Sequence, residues 1–302
     1  MFSLQLENDS ANIVNINDGV NYLVTYASGL NPPSASIFTA KSPNRKGTKY
    51  NGSTLDERNI VLSIKLLGNI EANRNALYDW VDTEQYIKVR YQNGTKNVYC
   101  EGYVQDCSID LFTDNEVVSV AIICPNPYWL DLQEIAVDIS SITNQFTLPF
   151  AISFEGVEEI EVENPDGSTA TTYMNKGVPF STVRESNTTT IFNGGNETGA
   201  KFHIKCITDI ANFVIRDDKD ATKSFAINTT LERGSIVIID TESSPKTCKA
   251  YKPDGTVENL LKYLFNPTWF TLKKGTNIFS YQFTGYGKAE MTISFTNKYL
   301  GV

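Results

Sequence analysis

The stretch Arg58–Leu66 reads RNIVLSIKL, and it decides the fold class. From its third residue every second position is apolar, while Ser63 and Lys65 stand between the apolar positions. A period of two is typical of a β-strand that buries one face and leaves the other in solvent. The stretch therefore predicts a strand with one buried face.

Further strands are predicted on the C-terminal side of this stretch. Tyr86–Tyr91 and Asn97–Val104 flank the dipeptide Asn93-Gly94, which tolerates the positive φ angles of a type I′ hairpin turn. Val117–Cys124 is another apolar strand, and Pro125 ends it because proline cannot donate a ladder hydrogen bond. These runs predict a sheet.

One segment between the strands has a helical period instead. Apolar residues recur there at a spacing of three and four, at Ala72, Ala76, Leu77, Trp80 and Val81. Asn69 is a suitable N-cap, and Glu71 places a negative charge near the positive end of the helix dipole. We therefore expect residues 1–131 to form a β-sheet domain with one packed α-helix over about residues 70–82.

From about residue 135 the sequence alternates only between short β-rich runs and turns such as Asn164-Pro165-Asp166-Gly167. The predicted strands are Glu158–Glu163, Thr169–Met174, Lys201–Ile207, Phe213–Arg216, Phe225–Asn228, Ser235–Asp240, Thr247–Tyr251, Trp269–Leu272, Asn277–Thr284 and Lys288–Thr296. Leu260–Phe265 is a candidate for one helical turn. Many short strands with frequent turns are typical of a β-sandwich, so we assign one to residues 132–302.

Charge and composition exclude several classes of function. The formal net charge is −9 and the acidic residues are spread along the chain, so the surface repels phosphate and DNA binding by counterion release is not expected. The opening MFSLQLENDS predicts no signal peptide, and no stretch approaches the roughly 20 apolar residues of a membrane helix. The basic cluster Lys41, Arg45, Lys46 and Lys49 lies among Pro and Gly, which predicts a solvated loop.

The residue types needed for catalysis are sparse. The single histidine, His203, lies in the alternating run KFHIKC, so His203 and Cys206 face opposite sides of a strand and cannot share a zinc ion. The five cysteines form no CxxC pair and are expected to be free thiols. Asp217, Asp218 and Asp220 lack the glycine and glutamate of an EF-hand loop. We predict no catalytic, cofactor-binding or metal-binding residues, no cofactor, and a protein that is not an enzyme.

Several stretches in a fixed order carry a family resemblance. In the first half they are Arg58–Leu62, Leu67–Ile70, a helix with Arg74, Leu77 and Trp80, and the exit Cys124-Pro125-Asn126-Pro127-Tyr128-Trp129. In the second half they are Phe225–Asn228, Leu231–Thr241, Trp269–Asn277 and Phe295–Val302. Together they resemble the siphophage-type tail component family, whose members are called distal tail proteins.

The resemblance implies a virion structural protein of the phage tail tip, or baseplate hub, made in the host cytoplasm. Such proteins form a hexameric ring in which the first domains lie inside and galectin-like sandwiches project outward. The ring joins the tail tube protein to the tape measure protein or tail-associated lysin, and to a receptor-binding protein. DNA passes through without specific binding, since six chains of charge −9 would carry about −54. The interface residues remain unknown at this stage.

Two other functions remain open. The second domain could bind host-wall carbohydrate, because aromatic rings stack on sugar faces, and it offers Tyr251, Trp269, Tyr281 and Tyr286. Packing in the core is the alternative role for each ring. A glycan hydrolase would need two carboxylates roughly 5–9.5 Å apart, and no pair can be nominated from the sequence.

Overall fold

A computed structural model describes residues 2–41, 46–111, 113, 116–139, 157–163, 169–175, 188–220, 222–284 and 289–302. Within these residues the chain is mostly β, with a helix packed on the first sheet, as the sequence predicted. The backbone of β12 (Val157–Glu163) and β13 (Thr169–Asn175) forms the predicted antiparallel hairpin. Its turn, Asn164-Pro165-Asp166-Gly167, lies outside the described residues.

The first half of the chain builds an antiparallel sheet with strand order β2-β1-β7-β8-β9-β6-β3. Its strands are β1 Ser3–Glu7, β2 Ile13–Asn15, β3 Tyr22–Ser28, β6 Arg58–Leu66, β7 Tyr86–Asn93, β8 Lys96–Ile109 and β9 Val117–Cys124. A short strand, β10 (Trp129–Asp131), pairs with β8. The alternation predicted for β6 is confirmed, because Ile60, Leu62, Ile64 and Leu66 are all buried. Sequence reasoning assigned no strands to the first 55 residues, where β1–β3 and two further strands lie.

The helix α1 spans Ile70–Tyr78 and packs against β6. The predicted cap is confirmed, since Asn69 Oδ1 accepts the Ala72 N–H at 3.3 Å. The helix ends four residues before the predicted end, because the Leu77 carbonyl accepts the N–H groups of both Trp80 and Val81 in a tightened last turn. Leu77 and Val81 are nevertheless buried beside the sheet, as the helical spacing required.

The β7–β8 hairpin forms as predicted, but its turn differs. Asn93 pairs with Lys96 inside the ladder, so the two loop residues are Gly94 and Thr95. Gly94 has φ +57°, whereas neither Asn93 nor Thr95 has a positive φ. A type I′ turn needs positive φ at both central residues, so the expected type I′ turn is not the one adopted.

Apart from the β12–β13 hairpin, the described strands of the second half form two sheets around one shared core. One sheet has the order β11-β22-β15-β18-β19-β20, with β11 Ile135–Asp138, β15 Lys201–Cys206, β18 Ile236–Asp240, β19 Thr247–Tyr251, β20 Val257–Asn259 and β22 Ala289–Phe295. The other has the order β14-β21-β16-β17, with β14 Thr188–Asn193, β16 Ile210–Asp217, β17 Ser224–Leu231 and β21 Gly275–Thr284. Phe202 of the first sheet meets Phe279 of the second edge-to-face, with ring centroids 5.8 Å apart.

Of two further predicted elements in the second half, the helical turn forms and one strand does not. Leu260–Phe265 yields a 3₁₀ turn over Leu261–Tyr263. Trp269–Leu272 is not a strand, although Leu272 makes an isolated β-bridge with Thr198. A sandwich is therefore present, and its likeness to galectin stays a prediction.

Residues 298–302 return to the first sheet. There β23 (Lys298–Tyr299) pairs with β10, so Tyr299 lies opposite Trp129. Asn297 Nδ2 donates to Asp131 Oδ2 at 2.9 Å, and Val302 N–H donates to the Leu30 carbonyl at 3.2 Å. The last segment of the chain therefore lies beside the first sheet. The predicted boundary between the two domains at residue 131 stays a prediction.

Candidate assembly surface

Two strands that pair neither with the first sheet nor with the sheets of the sandwich form a separate hairpin, which we call the arm. It consists of β4 (Ala35–Ala40) and β5 (Lys49–Leu55), paired antiparallel with each other and, among the described residues, with no other strand. Every residue of the two strands is exposed except Gly52, which is half-buried. Of the basic residues predicted to lie in a solvated loop, Lys41 and Lys46 are exposed and lie between the two strands, whereas Lys49 begins β5. Arg45 lies outside the described residues.

The pairing register of the arm gathers apolar side chains on one face. Ala35 lies opposite Leu55, and Thr39 lies opposite Tyr50, so Ile37 shares a face with Leu55 and Tyr50. Ile37 is 65% exposed, Tyr50 62%, and Phe38 on the other face 52%. Large apolar groups held this far into water are typical of a surface that binds another protein.

The arm has no core of its own. A two-stranded hairpin without a covering layer is only marginally stable in water. Beyond the ladder, the described hydrogen bonds of the arm include Ser36 Oγ to Asp56 Oδ1 at 2.8 Å and the Asp56 N–H to the Ser34 carbonyl at 3.0 Å. The hydroxyls of Tyr50 and Ser53 also share a hydrogen bond at 2.9 Å. Docking of its apolar face on another molecule would therefore stabilise both the arm and the assembly.

The base of the arm is fixed by a buried arginine. Arg58 begins β6 and is 1% exposed. Its guanidinium donates to the carbonyls of Pro127 at 2.8 Å, Asn31 at 2.7 Å and Leu300 at 2.6 Å, and also to that of Gly29. It also lies over the Trp129 ring, 5.3 Å from the centroid.

Arg58 thus joins three chain segments with four backbone acceptors. Burial lowers the pKa of the Arg58 guanidinium, although arginine stays charged in proteins. Two of its acceptors, Gly29 and Asn31, lie just before the arm, and a third lies in the returning segment 298–302. Gly301 packs so closely on Pro32 that an added Cβ would lie 2.9 Å from the Pro32 Cδ atom. The chain is therefore held firmly at residues 29–32, just before the arm begins.

His203, Cys206 and the aspartates of the 217–220 turn lie as follows. His203 is half-buried on the outer face of its sheet and Cys206 is buried on the other face, as their alternation predicted. Asp217 and Asp220 accept backbone N–H groups of Lys219 and Thr222 within their own turn. The described residues contain no group of three or more His, Cys, Asp or Glu side chains placed to hold a metal ion.

Of the three aromatic candidates for sugar stacking that the structure describes, one is well exposed. Tyr251 is exposed on the outer sheet face. Trp269 packs edge-to-face on Phe225 at 5.1 Å between centroids, and Tyr281 is buried and donates its hydroxyl to the Ala289 carbonyl. Tyr286 lies outside the described residues. In the part of the chain that the structure describes, no helix is long and apolar enough to span a membrane.

Comparisons with known proteins agree with the resemblance. Residues 193–299 match the family described as "Siphovirus-type tail component, C-terminal domain". The crystal structure of SPP1 Dit, a hub protein of the adsorption apparatus in phages that infect Gram-positive bacteria, superposes with a TM-score of 0.62. Sequence identity there is 10%, over 98% of this chain and 99% of that chain, so this likeness shows a shared fold.

Two structures of the phage P2 baseplate in its activated conformation also match. The one with Ca has a TM-score of 0.49 and 15% identity over 100% of both chains. The one with Sr has a TM-score of 0.45 and 14% identity over 98% of both chains. No curated protein matches the chain. The family match and the shared fold confirm the prediction made from the sequence motifs.

Proposed function

We infer that this chain, a phage distal tail protein of the siphovirus tail component type, is a structural hub of the tail tip or baseplate. The inference rests on the family match of residues 193–299 and on a fold shared with a hub protein along nearly the whole chain. The work of such a protein is assembly, without substrate turnover. Its place is the virion, after synthesis in the host cytoplasm.

We propose that the hub is a six-membered ring. In it, residues 1–131 form the inner, ring-building domain and residues 132–302 form the outer sandwich, which we take to be galectin-like. The ring would sit between the tail tube protein and the tape measure protein or tail-associated lysin, with room outside for a receptor-binding protein. The acidic surface, −9 per chain, would let DNA pass without adhering.

The observation that carries the ring proposal is the arm. Among the residues that the structure describes, its two strands pair only with each other, and it exposes Ile37, Phe38 and Tyr50. It is anchored through Arg58. An element of this kind gains a covering layer only by contact with another molecule. In the proposed ring the arm contacts a different surface of a second copy, and a contact of that type generates a closed ring when its rotation closes.

Light scattering over a wide range of protein concentration tests the proposal. We expect the purified chain to form a discrete species with six times the mass of one chain. The double variant Ile37→Ser and Tyr50→Ser should shift the assembly midpoint at least tenfold to higher concentration, because two large apolar contacts of roughly 1.5–3 kcal/mol each are lost.

The control is Phe265→Ser, which removes a ring that is 74% exposed, more than Ile37 or Tyr50, from the second domain. It should leave assembly unchanged. A wild-type chain that stays monomeric at every concentration would contradict the proposed ring. If the arm variant and the control assemble equally well, the arm takes no part in the ring contact.

Binding to host-wall carbohydrate is the second candidate, and the exposed ring of Tyr251 is the observation that favours it. Tyr251 lies in register between Ile236 and Val257 on the outer face of the sandwich. Binding of wall polysaccharide that is lost in Tyr251→Ala would support this function. If the wild-type chain binds no such polysaccharide, the candidate is withdrawn.

A further inference from the structure

Residues 297–302 form a strap that lies between the sandwich and the first sheet. Lys298 is the point where the strap crosses between them. On one side it lies opposite Leu130 of β10 in the first sheet, and on the other side it forms a β-bridge with Asn196 of the sandwich. The Asn196 N–H donates to the Lys298 carbonyl at 2.7 Å. The backbone of one strap residue therefore pairs with both parts of the molecule.

The sandwich also holds this residue by its side chain and by close packing. Lys298 Nζ forms an ion pair with Glu242, whose Oε2 atom accepts the Gly199 N–H at 2.6 Å. Gly195 lies directly against the strap backbone, because an added Cβ would lie 2.5 Å from the Lys298 carbonyl oxygen and 2.7 Å from its nitrogen. Both distances are shorter than a Cβ atom tolerates, so a side chain at residue 195 would collide with the strap.

The loop that carries Gly195 is itself fixed by a buried amide. Asn193 is fully buried, and its Nδ2 donates to the carbonyls of Asn196 at 2.8 Å and Leu272 at 2.9 Å. Its Oδ1 accepts the Gly195 N–H at 2.9 Å. Movement of the loop would break these bonds and leave buried polar groups without partners, which costs free energy. A side chain added at residue 195 would therefore displace the strap rather than the loop.

The other end of the strap contacts the base of the arm. Arg58 donates to the Leu300 carbonyl of the strap at 2.6 Å and to the Asn31 carbonyl at 2.7 Å. The Val302 N–H donates to the Leu30 carbonyl at 3.2 Å. One buried guanidinium thus holds the strap and the arm base at the same time. Contiguous networks of hydrogen bonds are one means by which distant sites are coupled.

We propose that the strap couples the sandwich to the base of the arm, so that displacement of the strap by the sandwich loosens the arm. The arm responds because it has no covering layer of its own, and a two-stranded hairpin is only marginally stable in water. Because coupling is reciprocal, an arm held in place would in turn hold the sandwich. This coupling goes beyond the proposed function, since every contact that it uses lies within one chain.

Hydrogen exchange of backbone amides, followed by mass spectrometry from milliseconds to hours, tests the coupling. The perturbing variant is Gly195→Ala. We expect the amides of the strap and of β4 and β5 to exchange at least threefold faster than in the wild type, because local opening becomes easier. The protein is kept below its assembly midpoint, as monitored by light scattering, so that contacts between chains do not contribute.

The matched control is Gly194→Ala in the same loop. Among the described residues, a Cβ added at residue 194 meets only Phe192 Cε1, at an ordinary distance of 3.8 Å. Neither glycine has a positive φ, so the backbone accepts alanine at both positions. The two variants therefore differ in whether the new methyl group collides with the strap. Gly194→Ala should exchange like the wild type.

A second pair of variants avoids any collision. Glu242→Gln removes the charge that pairs with Lys298, whereas Glu290→Gln removes the charge that pairs with Lys205 at 3.4 Å on the outer face of the sandwich. Glu242→Gln should accelerate exchange in the strap and the arm by roughly twofold, a smaller factor because a partly exposed ion pair contributes little. Glu290→Gln should change neither.

The outcomes either support the coupling or refute it. Exchange in β15 and β22 should stay at the wild-type rate in all four variants, which establishes that the sandwich core is intact. If Gly195→Ala and Gly194→Ala exchange alike in the strap, or if the strap exchanges faster while β4 and β5 do not, the coupling is refuted. If Gly195→Ala disturbs the core itself, Glu242→Gln decides by the same two criteria. None of these outcomes depends on whether the chain forms a ring.

Discussion

Replacement of Arg58 by Met should destabilise the first domain more than any other single arginine substitution. The side chain is 1% exposed and donates to four backbone carbonyls in three separate segments. Methionine keeps much of the volume and the contact with Trp129, but it donates nothing. The four carbonyls would then have to find water or remain without donors.

The size of the effect follows from two opposing contributions. Acceptors left without donors cost roughly 1–3 kcal/mol each when they are buried. These carbonyls belong to half-buried or exposed residues, so water recovers part of that cost. Removal of a buried charge that has no carboxylate partner also returns desolvation energy. We expect a net loss of about 3 kcal/mol in the free energy of unfolding, within the range of severe single substitutions.

Urea unfolding followed by tryptophan fluorescence measures this loss. Trp129 lies 5.3 Å from the guanidinium and contributes to the emission together with Trp80 of the same half and Trp269 of the second half. Arg216→Met, at an exposed position of β16, is the matched control and should change stability by less than about 0.5 kcal/mol. A loss below about 1 kcal/mol for Arg58→Met would refute the view that this side chain holds the arm base, the exit of the first domain and residues 298–302 together.

Two further predictions concern the cores. Leu77→Ala should cost about 2–5 kcal/mol in urea unfolding, because Leu77 is fully buried between α1 and the sheet, whereas exposed Ala76→Ser should cost little. Burial raises the pKa of the Cys248 thiol from 9.0 to about 12. The unfolded chain therefore loses this proton first, and stability should fall as the pH rises from about 9 towards 12. Urea midpoints measured at pH 8 and pH 10.5 should differ less in Cys248→Ala, and an unchanged difference would contradict the assignment.

The fold was predictable where local pattern and tertiary contacts agree. The alternation in Ile60–Leu66 and the cap at Asn69 each dictate a local geometry that the packed core then uses. The end of α1 and the turn at Gly94 were harder, because each depends on which neighbouring backbone groups pair. The order of the sequence motifs pointed to the same family whose C-terminal domain model matches residues 193–299, since their order along the chain carries information that no single motif holds.

The candidate assembly surface was missed because it buries nothing within one chain. In β4 the adjacent Ile37 and Phe38 break the period of two, and the basic residues that follow favour a loop. The partner that would make the pattern regular lies in another molecule. Arg58 was noted as the start of a strand, but its role depends on carbonyls of Gly29 and Leu300, which are far apart in sequence.

Electron microscopy of the purified chain tests the central claim, that this protein is a ring-forming hub, most directly. Class averages from negatively stained particles should show closed rings with six-fold symmetry, a central opening and protruding outer domains. The arm variant Ile37→Ser with Tyr50→Ser should yield mostly single chains under the same conditions. Wild-type images that contain only single particles of one chain's size, at concentrations where the chain is fully folded, would contradict the account.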